Sequence, residues 1–362
     1  MEIGIELHER SHELTNRPVY DTNSKGAVLE EGFSQFPESS AEHSSRKRTV
    51  TMFSKLNLST IYMSTMLYAA ILVVESLFQF RLFQRSHSFI SFYWLESCVI
   101  VFIFTILERK RIESFRSQAR HFLPFLVLHV AVMVTFGLDL NQSTFGSSGG
   151  SESFCVSLAM TAPLVVLATW TTNRQSYPEK IIIIVSLSCS LLMVLFCGMQ
   201  DRIANYKTTL LDGAFGFIMA SSLAFFTVHG KNNLSKASFT ELLYLLNFTS
   251  VICLPFFALL FGEIPSLKDE VFKRGVIDML FGIFVLALLR LASQAACLYQ
   301  LTHSSPLLNA TTRGFAWIWI TVGITVITHV NTGELLVPVF LAFWIYGFLN
   351  YLPIICSDLH LI

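Results

Sequence analysis

Two arginines stand where charge is expensive. Arg290 and Arg313 are each embedded in a long apolar run in the second half of the chain. At the centre of a membrane-crossing helix a charge costs about 2.5–3.5 kcal/mol on insertion scales, so it persists where it has a partner or a task. A guanidinium stays ionised and offers a planar fork of donors that fits a phosphate or a carboxylate. The chemistry on offer is capture of an anion. The plainer alternative is structural, with Arg290 paired to a carboxylate or capping carbonyls. Glu75 and Glu96 are carboxylates in similar surroundings, and each could neutralise an arginine or accept a proton. His129 reads as a core histidine before it reads as a proton relay.

Uncharged polar residues fall in step with the arginines. Asn309, Thr312 and Arg313 follow Pro306 by three, six and seven residues, which sets them on one helical face. Gln294 is four residues after Arg290, and Tyr244 and Asn247 are three apart. Each of these suits a solute contact or an interhelical hydrogen bond worth under about 1 kcal/mol. The candidate binding set is therefore Arg290, Gln294, Asn309, Thr312, Arg313, Asn247, Tyr244 and Glu75. Trp317, Trp319 and Trp344 read as packing or interfacial anchors. No nucleophile motif, metal-ligand cluster or His/Asp pair at lipid-transfer spacing occurs, so neither an enzyme nor a cofactor is expected. The seven cysteines are scattered without a CxxC, and no basic patch suggests nucleic acid.

The elements that must position these residues follow from composition. Hydrophobic residues make up 53% of the 362 and charged residues 14%, against about 25% charged in a soluble domain. Lipid offers backbone groups no partners, so each apolar run must close its own hydrogen bonds as a helix of roughly 20 residues. Ten windows qualify: Ile61–Phe80, Ser88–Leu107, Phe122–Asp139, Ser151–Thr172, Ile181–Met199, Leu210–His229, Phe239–Phe261, Val276–Gln300, Ser305–His329 and Leu335–Leu352. The polar stretch 1–58 is expected to be a disordered cytosolic tail, and 354–362 a short cytosolic end.

With the amino terminus in the cytosol, thirteen Lys and Arg flank the spans on that side against seven on the other. The segment Glu108–Arg120 alone supplies five, and the bias places both termini inside. Of the five N-x-Ser/Thr triplets, only Asn141 then faces the lumen in a loop as a glycosylation candidate. A phrase recurs in the two halves: Thr161-Ala162-Pro163-Leu164 and Ser304-Ser305-Pro306-Leu307. Five spans per half insert the second half upside down relative to the first. The expected fold is thus an all-α membrane protein of two inverted five-helix repeats, 59–200 and 208–353, with a solute site at their interface. A proline inside a span also frees a carbonyl that a wet cavity can satisfy.

Three stretches carry a family resemblance: TAPLVVLATWTTNRQSYPEK from Thr161, DGAFGFIMASSLAFFTVHGKNNLSK from Asp212, and LYQLTHSSPLLNATTRGFAWIWI from Leu298. The chain from Ile61 to Leu352 resembles the drug/metabolite transporter superfamily, and within it the nucleotide-sugar and triose-phosphate branch. One departure matters. Where that branch carries a basic pair or a lysine after the Ser-Pro phrase, this chain has Ala316 and Trp317, and Arg313 is the nearest basic residue. The resemblance implies a carrier in the Golgi or endoplasmic reticulum membrane that exchanges a nucleotide sugar or phosphorylated sugar by alternating access. Its partners are that solute and the lipid bilayer, with a homodimer left open. The alternatives are an exporter of neutral or cationic metabolites at the plasma membrane, and a receptor or scaffold that keeps the fold without transporting.

Overall fold

Helices are what an apolar chain forms when its backbone must satisfy itself. The structure is a computed structural model that describes residues 40–83, 88–108, 119–142, 152–203, 210–328, 340–351, 353–354 and 356. Among these residues no strand occurs. In chain order the helices are α1 (Ser40–Phe83), α2 (Phe89–Leu107), α3 (Leu123–Gln142, led in by the 3-10 turn Ala119–Phe122), α4 (Glu152–Asn173), α5 (Glu179–Ile203) and α6 (Leu210–Asn233). Then follow α7 (Phe239–Leu260), α8 (Glu263–Arg274), α9 (Val276–His303), α10 (Pro306–Thr328) and α11, the π-helical turn Ile345–Tyr351. The chain divides into a first unit, Met1–Thr49, and a second, Val50–Ile362, which contains every contact described below.

Five helical segments combine the length and apolarity needed to cross a bilayer: Ser59–Leu82, Phe89–Leu107, Ala119–Leu138, Phe239–Leu260 and Val276–His303. The chain is an all-α, multi-pass membrane protein. Helices α4, α6 and α10 coincide with further expected windows and have 22, 24 and 23 residues. Serine, threonine and glycine dilute their apolarity.

Four features differ from the sequence-based expectation. First, α1 starts at Ser40, so residues 40–58 of the supposedly disordered tail are helical. No Pro or Gly lies between Ser40 and Ser59, and nothing in that flank stops a helix that continues out of an apolar segment. The tail before Ser40, the basic residues Arg109, Lys110, Arg111 and Arg116, and the end from 357 lie outside the described residues. Second, α3 runs to Gln142, which puts Asn141 in its last turn rather than in a loop. Hydropathy marks where the apolar segment ends, not where the helix does.

Third, the segment after α7 forms the twelve-residue helix α8. Glycines bracket it: Gly262 at φ 69° and Gly275 at φ 86° adopt backbone conformations that a side chain strains. Fourth, the two prolines of the repeated phrase occupy different places. Pro163 is interior to α4. Pro306 is the first residue of α10, where a missing N–H costs nothing, and the Ser305 hydroxyl accepts from Leu308 N at 3.2 Å. The second proline therefore opens its helix and does not kink it.

The tightest helix pair is α4 against α6, where Ala162, Val165 and Ala168 meet Ala220, Ala224 and Val228 in a core of small buried side chains. Small residues let backbones approach closely, which is how membrane helices gain packing without a hydrophobic drive. Helix ends are closed by charges from distant elements. Lys231 of α6 donates to the carbonyls of Leu301 (2.6 Å) and Thr302 (3.2 Å) at the carboxyl end of α9. Glu263 of α8, 2% exposed, accepts from Ile90 N (3.3 Å), Ser91 N (2.8 Å) and the Ser91 hydroxyl (2.9 Å) at the amino end of α2. A carboxylate there meets orphan N–H groups and the positive end of the helix dipole. Replacing Glu263 with Ala is expected to cost about 1.5–3 kcal/mol, the range for hydrogen bonds to a charged group, read as a lowered unfolding temperature in detergent.

Candidate functional site

Three polar stripes converge inside the bundle. On α1 the stripe is Thr65, Tyr68, Glu75 and Gln79, spaced so that all four share one face. On α9 it is Arg290, Ser293, Cys297 and Gln300, and on α10 it is Asn309, Thr312 and Arg313. Side chains of α2 and α3 close the group.

At one end, Arg290 is fully committed. One terminal nitrogen, Nη1, donates to Glu96 Oε2 at 3.1 Å and to the Tyr93 carbonyl at 2.9 Å, and the other meets Met133 Sδ at 3.0 Å. Its guanidinium also lies 4.9 Å from the centre of the Tyr93 ring, a cation–π distance. Arg290 and Glu96 are 3% and 2% exposed. The structural alternative describes Arg290: it is a buried ion pair that ties α9 to α2 and α3.

At the other end, Gln300 is a hub that sequence reading missed. Its amide nitrogen donates to Thr312 Oγ1 (2.8 Å) and Thr65 Oγ1 (3.2 Å), and its oxygen accepts from Asn309 Nδ2 (2.7 Å). All four residues are buried. Asn309 and Thr312 do share a face, as their spacing implied, but that face fastens α10 to α9 and α1. Gln300 was the last residue of its apolar window. The helix continues to His303 and carries it inside.

Arg313 lies between these ends and differs from both. Its Nε donates to Tyr68 Oη at 2.9 Å, and one terminal nitrogen approaches Cys297 Sγ at 3.9 Å. Among the described residues it has no carboxylate partner within ion-pair distance. Glu75 lies two turns beyond Tyr68 on the same face of α1, with both guanidinium groups near enough for its carboxyl to feel them. Arg313 and Glu75 are surrounded by the bundle, yet each keeps some accessible surface. Tyr68 was missed as well, although its seven-residue spacing from Glu75 places the two on one face.

The remaining candidates separate in the same way. Asn247 is fully buried, and its amide donates to Leu243 O (2.9 Å) and to Gln294 Oε1 (2.7 Å), joining α7 to α9. Gln294 retains some accessible surface. Tyr244 is buried between Phe104 and Phe248, with ring centres 6.2 and 5.5 Å away, and offers no surface to a solute. His129 is 3% exposed and packs against Phe226. Of the eight candidates, Arg313, Glu75 and Gln294 keep accessible surface, whereas Arg290, Asn309, Thr312, Asn247 and Tyr244 are buried. Several buried polar atoms have no protein partner, namely Gln79 Nε2, Glu96 Oε1, His129 Nε2, Asn247 Oδ1 and Gln294 Nε2. They leave bonding capacity at the centre of the bundle. Among the described residues no three His, Cys, Asp or Glu gather as metal ligands.

No protein-family model matches the chain, and no curated protein matches it.

The ion pair has a measurable signature. Glu96→Gln strands a buried guanidinium and is expected to cost about 3–5 kcal/mol. Glu96→Leu combined with Arg290→Met removes both charges and should recover most of that loss. A double-mutant cycle on unfolding temperature checks it.

Proposed function

We propose that this protein is a membrane carrier for a polar organic solute bearing an anionic group, bound at Arg313. The observation that carries this reading is a guanidinium that, among the described residues, has no carboxylate within ion-pair distance and keeps accessible surface inside the bundle. A charge in that place is costly, and a scaffold could make the bond from α10 to Tyr68 with a neutral side chain.

Ten spans, with α8 lying between the seventh and eighth, and two inverted repeats belong to the same proposal. Helix packing supports it. A twofold exchange of the halves would swap α1 with α6, α2 with α7, α3 with α9, α4 with α10 and α5 with α11. The pairs α2–α7, α4–α10 and α5–α11 each map onto themselves and each pack together. The contact of α2 with α9 is matched by α3 with α7, α2 with α3 by α7 with α9, and α4 with α5 by α10 with α11. The solute would bind between the halves and be released by rocking one against the other. Helix α1 fits such motion, since it meets its neighbours through side chains such as Tyr68, Thr65 and Leu77, while its counterpart α6 packs closely on α3 and α4.

The resemblance to the nucleotide-sugar branch supplies the class to test first, by exchange against a nucleoside monophosphate in an endoplasmic reticulum or Golgi membrane with both termini cytosolic. Purified protein in liposomes preloaded with nucleoside monophosphates, nucleotide sugars or sugar phosphates reports counterflow directly. Silence with all of them withdraws that class. Within whichever exchange is found, Arg313→Gln is expected to lower the rate at least about tenfold with little change in unfolding temperature, the loss of one charged hydrogen bond. Arg290→Gln should instead lower the unfolding temperature. Equal transport by wild type and Arg313→Glu would remove the proposed role of Arg313.

A further inference from the structure

We propose that the enclosed site selects a zwitterion, an organic solute with one cationic and one anionic group, held between Glu75 and Arg313. This rests on the carrier reading and narrows its substrate class. Four charges lie at the centre of the bundle: Glu75, Glu96, Arg290 and Arg313. Arg290 and Glu96 cancel in their buried pair at 3.1 Å. Glu75 and Arg313 remain, opposite in sign, both accessible, and not within ion-pair distance of each other among the described contacts. Positions along α1 set the scale of the gap. Tyr68, which accepts from Arg313 Nε at 2.9 Å, and Glu75 are seven residues apart, about 10 Å along the axis. A small amino acid, met at either end by the Glu75 and Arg313 side chains, spans such a gap.

Charge matching excludes the simpler ligands. An anion alone satisfies Arg313 and leaves a bare carboxylate beside it, and a cation alone does the reverse. A multiply charged phosphate brings more negative charge than one guanidinium can balance with Glu75 nearby, and repulsion is strong where water is scarce. A zwitterion completes both partners at once. Arg313 keeps Nη1 uncommitted for the anionic end.

The test uses the full-length protein, with thermal stabilisation reporting binding and counterflow from proteoliposomes reporting transport. The probes are glycine, β-alanine and γ-aminobutyrate, compared with butyrate, propylamine and uridine monophosphate. The expected result is that at least one zwitterion stabilises and exchanges while its charge-deleted analogues do not. Glu75→Gln should weaken that zwitterion at least about tenfold and shift preference toward butyrate, and Arg313→Gln should shift it toward propylamine. Stabilisation by uridine monophosphate or butyrate, unchanged in Glu75→Gln, overturns the zwitterion and leaves the carrier standing. A zwitterion that binds without exchanging supports the site and overturns transport. No stabilisation by any zwitterion overturns the proposal. Where Glu75→Gln does not fold, the wild-type comparison of each zwitterion with its analogues decides.

Discussion

An ion pair shut away from water needs further bonds around it, and the Arg290–Glu96 contact sets the terms for the rest of the bundle. Desolvating two such charges is costly, and each bond that meets their remaining capacity offsets part of it. Here the Tyr93 carbonyl, the Tyr93 ring and Met133 surround the guanidinium on the sides the carboxylate leaves open, while Glu96 Oε1 has no hydrogen-bond partner among the described residues. Those groups come from α2 and α3, so the pair requires three helices to hold a fixed register. Helix α2 in turn packs along α7, and α3 along α6 and α7. The outcome is one guanidinium immobilised as framework and another, on α10, left with only partial company.

The bundle combines two kinds of joint. Where α4 meets α6, alanines interdigitate at close range, and such a contact has one good arrangement. Where α1 meets α9 and α10, side chains reach across: Thr65 to Gln300 and Tyr68 to Arg313. Hydrogen bonds of this sort can be exchanged for others at small cost, because the alternative state also finds partners. Close approaches by glycine pin selected points along that seam. A Cβ at Gly323 would lie 2.7 Å from the Leu77 side chain, and one at Gly282 would lie 3.2 Å from Leu82.

Much of the architecture was legible because hydropathy is a strong and local signal. Within the described residues, each of the nine apolar windows that start between Ile61 and Ser305 overlaps a helix, and the mid-span charges were recognisable from cost alone. What stayed hidden depended on distance in sequence. Glu96 and Arg290 each looked anomalous, yet nothing in either neighbourhood says they meet across 194 residues. The face shared by Asn309 and Thr312 was correct, but its partner Gln300 stood at the edge of a window and was taken for a boundary. Helix α8 was invisible because twelve residues are too few to register as a span and its charges read as loop. Pro306 misled for a related reason: a proline that starts a helix and one that bends it have the same letter and opposite consequences.

The carboxylate that closes the start of α2 has a consequence for synthesis. Ser91 and Glu263 are 172 residues apart. At about 5–20 residues per second, roughly 10–35 s pass between the emergence of the second helix and that of the group that finally seals its amino end. Through that interval those N–H groups lack the carboxylate they finally meet, and the first half of the chain acquires these bonds from the second.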